Sequence, residues 1–383
     1  MKAPRLLTRA VVTAFITVEV RSGGVWPGTT LLATGIAAAL MLSAPVVALA
    51  QTSRFALDAV AAADVDHGSQ VARHSTAWFD VFGAVRITDG LELRVRPVVF
   101  RRAFDGSWHG QIYELAMRYE RPGSVGWRVD AGQFSNPLGL GILENRPDKN
   151  PVVSQHSTLY LPVPRYEVGT PSTNLVAAAY PLGAKVTVSG AKWDARAAVI
   201  DSSPIRGRSF FGDDKPPRMA NLVAGAGFTP YIGLRLGVAV GTGPYADESE
   251  VRDQTRGDRH ATLTQVEAEW AFRYTRIAGE FLWTTRQLAA SEARVNGGWI
   301  ELTQTLTPRV FAAARYDDQW TEWTSAADQA DRRESYRRIE ATTGFRLTPE
   351  LTMRASYLTR KGYVVGFWDD QVLGSVVFSK RLK

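Results

Sequence analysis

Residues 229–241 read TPYIGLRLGVAVG. After the Thr-Pro pair, Ile232, Leu234, Leu236, Val238 and Val240 are bulky and apolar, and Gly233, Arg235, Gly237, Ala239 and Gly241 fall between them. A period of two belongs to an extended strand, whose successive side chains point to opposite faces. One face here is wholly apolar; the other carries glycine, alanine and an arginine. In a lipid-embedded sheet the apolar face meets hydrocarbon and the other lines an aqueous interior, provided every backbone group pairs within a closed ring. A soluble β-sandwich or propeller, with the apolar face on a dry core, is the competing reading.

The same alternation recurs along the chain. Leu91, Leu93 and Val95 alternate with Glu92, Arg94 and Arg96; Tyr113, Leu115, Met117 and Tyr119 alternate with Glu114, Ala116, Arg118 and Glu120. Val266, Ala268 and Trp270 alternate with Gln265, Glu267 and Glu269, and Ile339, Ala341 and Thr343 alternate with Arg338, Glu340 and Thr342. The pattern predicts strands over 54–63, 75–87, 91–101, 111–120, 126–134, 182–193, 195–203, 219–229, 231–242, 261–273, 275–287, 297–306, 309–322, 334–347, 350–361 and 369–381. Residues 174–181 either extend the sixth strand or add another, and no helical segment is expected after residue 50. Short turns are expected at Ile87–Leu91, Phe228–Tyr231, Leu306–Arg309 and Leu347–Glu350, three of them built on Thr-Pro, and also at Trp193–Ala195 and Tyr274–Arg276. Proline presets φ there and the threonine hydroxyl bonds back to local backbone. Between them lie long polar connections at 64–74, 102–110, 135–172, 204–218, 243–260, 288–295, 323–333 and 362–368. Short turns at one end and long loops at the other predict an all-β fold: a transmembrane antiparallel β-barrel of about 16 strands with a long third external loop. Trp127, Trp193, Tyr231, Tyr274, Tyr316 and Tyr357 are expected near strand ends, as interfacial girdles.

The remainder of the 383 residues narrows the function class. There is no cysteine, so disulfides, thiol chemistry and zinc–thiolate sites are excluded. Lys2, Arg5, Arg9 and Arg21 precede the apolar run of residues 31–50, which ends Ala48-Leu49-Ala50. This is the layout of a signal peptide over 1–50, cleaved after Ala50, with 51–383 as the barrel domain; an uncleaved anchor is the alternative. The processed chain would carry 41 basic and 37 acidic residues, a net of +4. That balance is too mild and too dispersed for nucleic acid.

The third loop, 135–172, contains six prolines and the apolar residues Leu159, Leu161 and Val163. A structureless connection of that length is uncommon unless functional, and proline restrains it. It is expected to fold into the lumen and narrow it, with Glu144, Arg146, Asp148, Lys149, Arg165 and Glu167 as constriction residues. The predicted lumen face carries Arg94, Arg96, Arg118, Arg128, Arg235, Arg276, Arg315, Arg338, Arg346 and Arg354 as pore-lining candidates. Against them stand Asp80, Glu92, Glu114, Asp130, Glu267, Glu269, Glu280, Glu301, Asp317 and Glu340. Most should pair across strands, leaving a weak anion preference from the net positive charge. The five histidines, His67, His74, His109, His156 and His260, are expected in external loops with no metal-ligand spacing. No Ser–His pair, P-loop or dinucleotide motif is evident, so neither an enzyme nor a cofactor is expected.

The segment Val129-Asp-Ala-Gly-Gln-Phe-Ser-Asn-Pro-Leu-Gly139, with the strand pattern over 54–383, resembles bacterial outer-membrane porins, especially the broad phosphate-selective porin O and P family. In such porins a strand ending in Gly-Gln/Lys-Phe and a Pro-Xaa-Gly opens the long third loop. The resemblance implies an outer-membrane diffusion channel for small hydrophilic solutes, with membrane lipid as its surroundings and a homotrimer as its assembly. The family's phosphate selectivity does not carry over. Arg146, Lys149 and Arg165 in the loop are matched by Glu144, Asp148 and Glu167. The last strand departs from the family too, since Ser379-Lys-Arg-Leu-Lys383 follows Phe378. A plugged structural or adhesive barrel, binding partners through its external loops, is the alternative function.

Overall fold

The computed structural model describes residues 55–68, 74–101, 106–140, 146–164, 171–177, 180–206, 220–248, 258–288, 291–324, 330–363 and 368–382. The expected signal peptide and the constriction candidates Glu144, Arg165 and Glu167 lie outside these residues.

Sixteen strands form: β1 (Phe55–Gly68), β2 (His74–Thr88), β3 (Leu91–Arg101), β4 (Trp108–Arg121), β5 (Gly126–Gln133), β6 (Leu182–Ser189), β7 (Trp193–Ile200) and β8 (Asn221–Tyr231), then β9 (Leu234–Ala246), β10 (Arg259–Phe272), β11 (Thr275–Gln287), β12 (Glu292–Thr305), β13 (Val310–Thr324), β14 (Asp331–Arg346), β15 (Leu351–Lys361) and β16 (Trp368–Leu382). Each pairs antiparallel with the next, and β16 returns to β1, from Leu57 opposite Leu382 to Gly68 opposite Gln371. The sheet therefore has no edge, so no row of unpaired N–H and C=O groups faces outward. Both ends of the described chain lie at the short-turn end of the barrel, and the connection between β5 and β6 is the third of the long ones.

The quoted strand shows how the two faces divide. Leu236, Val238 and Val240 are 44%, 48% and 40% exposed, whereas Ala239 is buried. Gly237 and Gly241 do not simply face water. A Cβ on Gly237 would lie 2.5 Å from the Glu267 side chain, and one on Gly241 would lie 2.7 Å from Leu138. The inner face of β9 is glycine-rich because an ion-paired carboxylate and a loop residue lie against it. The exposed apolar band continues through Ile112, Leu115, Val186, Val199, Leu222, Val266, Phe281, Ile300, Ile339, Tyr357 and Val372. A soluble monomer does not leave a belt of that extent in water.

The hairpin turns repeat one device at two of the predicted places. At 306–309 and 347–350 the threonine hydroxyl accepts two backbone N–H groups, from Arg309 and Val310 to Thr307 and from Glu350 and Leu351 to Thr348. The third Thr-Pro site differs. Thr229 and Pro230 close β8, and the turn falls at Ile232 and Gly233, where Gly233 has φ 95°. A side chain at 233 would collide with the Ala271 carbonyl at 2.3 Å, so glycine places the turn. Ile232, expected against lipid, is consequently the turn tip and 99% exposed.

Other expectations are corrected as well. β1 runs five residues beyond its expected end at 63, and Trp193 opens β7 rather than sitting in a turn. Residues 174–177 and 180–181 form no strand; Asn174, Val176 and Ala177 donate to the carbonyls of Ile205, Thr158 and Pro204. One helical turn, α1 (Ser157–Tyr160), occurs where none was expected. His67, His74, His109 and His260 lie in strands, because the strands extend well into the segments read as loops; only His156 is in a connection. Tyr316 and Tyr357 lie mid-strand, while Trp127, Trp193, Tyr231 and Tyr274 do cluster at the short-turn end. A register shift between Arg96 and Pro97 lets Tyr113 point inward, opposite to its alternation. It is 1% exposed and stacks on Tyr180 at 4.1 Å.

A lysine at Val238 should cost about 2–4 kcal/mol of folding stability in lipid vesicles, as charge on a lipid face near the midplane does. A lysine at Ile232 should change stability by less than about 0.5 kcal/mol. Denaturant titration of both variants in vesicles checks this. Equal, negligible effects would place the band of Val238 in water.

Candidate functional site: the lumen and the connection that crosses it

The described residues of the connection between β5 and β6 lie against the inner wall of the barrel. Its first fixed point is Asn136, whose amide donates to the Ala177 carbonyl at 3.1 Å and accepts the Leu138 N–H. Gly139, at φ 90°, then presents two consecutive N–H groups to the wall. Its own goes to Gln265 of β10 at 2.8 Å, and that of Leu140 to Glu280 of β11 at 2.7 Å. Glu280 also accepts the Trp299 indole N–H at 2.8 Å and the Gln265 amide at 3.0 Å.

The segment 146–157 is held by wall residues of both signs. Glu340 of β14 accepts the Val153 and Ser154 N–H groups, and Asp317 of β13 accepts the Ser157 N–H and hydroxyl. Arg315 donates to the Ser154 carbonyl and the Asn150 side chain. Arg338 donates to the Gln155 carbonyl, and Arg354 to the carbonyls of Pro147, Asn150 and Val152. On the return path Arg286 donates to Thr173 and to the Asn174 carbonyl, and Arg96 reaches the Tyr180 hydroxyl at 3.4 Å. An apolar cluster completes the attachment. Leu138, Leu159, Val163, Leu175 and Val176 pack with inward residues of β7 to β12, among them Ile200, Val223, Leu263, Leu282 and Val295. Each fully buried leucine contributes about 1.5–3 kcal/mol. Apolar burial of that size is what offsets the desolvation of the stapling charges, whose pairing alone roughly breaks even.

This sorts the pore-lining candidates. Arg315, Arg338, Arg354 and Arg96 are 1%, 7%, 6% and 7% exposed and hold protein rather than face open lumen. Their own counter-charges are Glu301 for Arg315, Asp317 for Arg338 and Asp80 for Arg96. The remaining candidates are less buried and meet their own partners. Arg94 sits 3.4 and 3.5 Å from Glu92 and Glu114. Arg235 is paired with Glu267 and lies 3.1 Å from Asp194; Arg276 is 2.9 Å from Glu269 and 3.5 Å from Glu301. Arg118 and Arg128 both meet Asp130, at 2.6 and 3.4 Å. Arg346 lies over the Phe311 ring. Among the constriction candidates, Arg146 binds Asp148 through two nitrogens and lies 3.9 Å from Asp58 of β1. Lys149 is 3.7 Å from Asp148 and is the most exposed of the three.

Lys185, Asp194, Arg196 and Arg286 belong to this wall and were not among the pore-lining candidates, although Lys185 and Arg286 fall in the strands expected over 182–193 and 275–287. Asp194 was read as part of a turn. A Ser–His pair also exists, contrary to expectation: Ser107 Oγ and His109 Nε2 are 2.6 Å apart. The His109 ring stacks on Phe100 at 5.7 Å. A pair alone is no acyl-transfer site, which also needs an orienting group and an oxyanion donor. Among the described residues no cluster of three potential metal ligands occurs.

No family model and no curated protein matches the chain. The fold has many solved counterparts. A complex of Salmonella typhi OmpF with daunomycin aligns at TM-score 0.57 and 12% identity, over 85% of this chain and 97% of that one. The anion-selective porin of Comamonas acidovorans aligns at 0.56 and 8%, over 85% and 99%. A trimer form of Vibrio cholerae OmpT aligns at 0.53 and 11%, over 85% and 99%. The chain thus has the sixteen-stranded fold of outer-membrane porins.

Two outcomes follow from the attachment. Glu280→Ala removes the acceptor of the Leu140 N–H and of the Trp299 indole, at about 1–3 kcal/mol each, while the Gln265 amide keeps Glu267. Amide exchange at Leu140 should accelerate at least about tenfold while β2 is unchanged. Unchanged exchange at Leu140 would mean that Glu280 does not hold the connection. His156 is fully buried, its ring 4.4 Å from Trp299, and burial, then Arg315, pushes its imidazole well below the ordinary range. Arg338 and Arg276 act in the same direction and Asp317 opposes them. The folded ring stays neutral while the unfolded one takes a proton below about pH 6.5. Stability is therefore full above that pH and declines as pH falls below it. Melting temperatures at pH 7.5 and 5.5 should differ more in the wild type than in His156→Asn; equal differences would reject the assignment.

Proposed function

We propose that this protein is a passive diffusion channel of the bacterial outer membrane, passing small hydrophilic solutes through a water-filled lumen without chemistry. The single observation that carries this reading is the division of the closed wall into an exposed apolar outside and a charged inside. The half-exposed arc of Glu92, Arg94, Arg118, Arg128, Asp194, Arg235, Glu269 and Arg276 supports an aqueous path beside the inward connection. That connection would set the size limit, with Arg146, Asp148 and Lys149 at its lumen side. The long connections would face outward and the short turns the periplasm, after removal of residues 1–50. No catalytic residue, metal or cofactor takes part. Outer-membrane lipid surrounds the barrel, and a homotrimer is the assembly, in line with the trimer form of the similar OmpT. A weak anion preference is part of the proposal, supported by the net positive charge and by cations outnumbering carboxylates around Asp130.

The plugged-barrel alternative draws on one observation, the apolar cluster that joins the connection to β7–β12 inside the barrel. Planar-bilayer recording decides between them. Stable unit conductances, with a reversal potential of modest anion preference under a salt gradient, are expected. A pure, folded barrel that never conducts would favour the plug, and a clear cation preference would remove the anion bias.

A further inference from the structure

We propose that residues 201–206, which open the connection between β7 and β8, are a second inward element that braces the β5–β6 connection and so sharpens the size limit of the channel. The proposal rests on the aqueous-channel reading and adds to it the residues that position the filter.

From residue 204 onward the sequence reads as a long polar external connection, yet Ser202, Ser203, Pro204, Ile205 and Arg206 are all buried. Connections normally stay at the surface because their peptide groups need water. This one finds partners without it. Asp201 donates its N–H to the Leu182 carbonyl at 2.9 Å. The Ser203 hydroxyl accepts the Ile205 N–H at 3.3 Å, and the Ser203 carbonyl accepts that of Arg206 at 3.2 Å. Pro204 has no N–H to satisfy. The next two carbonyls go to the β5–β6 connection: Pro204 accepts the Ala177 N–H at 2.7 Å, and Ile205 that of Asn174 at 3.0 Å.

Both limbs of the β5–β6 connection depend on this contact. Ala177 passes its own carbonyl to the Asn136 amide on the outgoing limb at 3.1 Å, and the Asn174 amide donates to the Leu159 carbonyl of α1. Apolar packing follows the same course, since Ile205 is fully buried in the cluster of Leu138, Leu159, Val163 and Leu175. The wall makes room for the two connections at one residue. A Cβ on Gly241 of β9 would lie 2.7 Å from Leu138 and 2.9 Å from Pro204, so the glycine that ends the stretch 229–241 is where they seat side by side. Arg206 fastens the far end. Its guanidinium donates to the Tyr245 carbonyl at 3.0 Å, and the Tyr245 hydroxyl donates to the Gln287 carbonyl at 2.8 Å. The brace is thus tied to β9 and through it to β11. Wall charges staple the segment 146–157, whereas on the return limb Arg286 and the brace share the task. A pore excludes by diameter only while its inward element keeps its place. Pro204 and Ile205 are therefore positioning residues of the filter, acting through the limbs they hold.

Amide exchange and sugar entry into proteoliposomes, measured on the same purified full-length barrel, test the brace. Ile205→Ser should accelerate exchange at Asn174 and Ala177 at least about tenfold while β2 is unchanged. It should also raise severalfold the entry rate of a neutral trisaccharide relative to a monosaccharide. Ile205→Val should leave both readouts as in the wild type. Gly241→Ala, whose added carbon would meet Leu138 and Pro204, should shift both in the same direction as Ile205→Ser. Unchanged exchange in Ile205→Ser and Gly241→Ala would overturn the brace. Faster exchange with a wild-type sugar ratio would overturn its role in the size limit. A wild-type barrel that admits no monosaccharide fails the channel reading and the filter role with it, while the exchange pattern still decides whether the two connections are joined.

Discussion

Every polar backbone group of a strand in hydrocarbon needs a partner, and at several kcal/mol for each one missed this dominates the molecule. The β1–β16 ladder supplies the last of those partners. Once the ring is closed, side chains have only two places to go, and the period of two assigns them. Closure also fixes the termini, because an even number of antiparallel strands returns the chain to the end where it began. The short-turn end then has to be made of tight hairpins, which the Thr-Pro hydroxyl caps and the left-handed glycines Gly90 and Gly233 provide.

The same requirement reappears inside the barrel. A connection drawn into the lumen carries its own peptide groups away from bulk water and has few regular partners for them. The wall answers with side chains. Carboxylates at Glu280, Asp317 and Glu340 take N–H groups, and guanidinium groups at Arg286, Arg315, Arg338 and Arg354 take carbonyls. Charge on the inner face thus serves two purposes. From β11 to β15 most of it substitutes for the missing ladder of the connection, as Arg96 of β3 also does at Tyr180, whereas Arg94, Arg118, Arg128, Arg235 and Arg276 keep part of their side chains exposed.

Much of this was legible in the sequence, for a physical reason. Alternation is enforced along every strand by two unlike solvents, so the strand number and the two faces both leave a record. Strand ends do not, because a strand that rises beyond the membrane loses its apolar face while keeping its ladder; hence His67 and His260 lie in strands and read as loops. The two kinds of inward arginine are equally invisible. Arg94 and Arg315 show the same alternation and each has a carboxylate two positions away, and only the course of the connection buries one and leaves the other wet. Tyr113 shows a third blind spot, since a single bulge reverses the face that periodicity assigns.

The choice of cation follows from the two tasks. A carbonyl ladder is irregular, and its oxygens lie in several directions. Arginine offers five donors in a rigid plane and holds its charge when desolvated, so one Arg354 spans three loop carbonyls and still reaches Ser375. Lysine is a strongly hydrated point charge and suits a site that keeps its water. Among the described inward stapling residues every cation is arginine, whereas Lys149, the most exposed of the connection's described cations, is lysine. Replacing a stapling arginine by lysine conserves charge but not the fork, and would leave carbonyls of the connection unpaired. The arginine content of the wall thus records which peptide groups have lost their water, and charge counting alone overstates how many inward cations remain exposed.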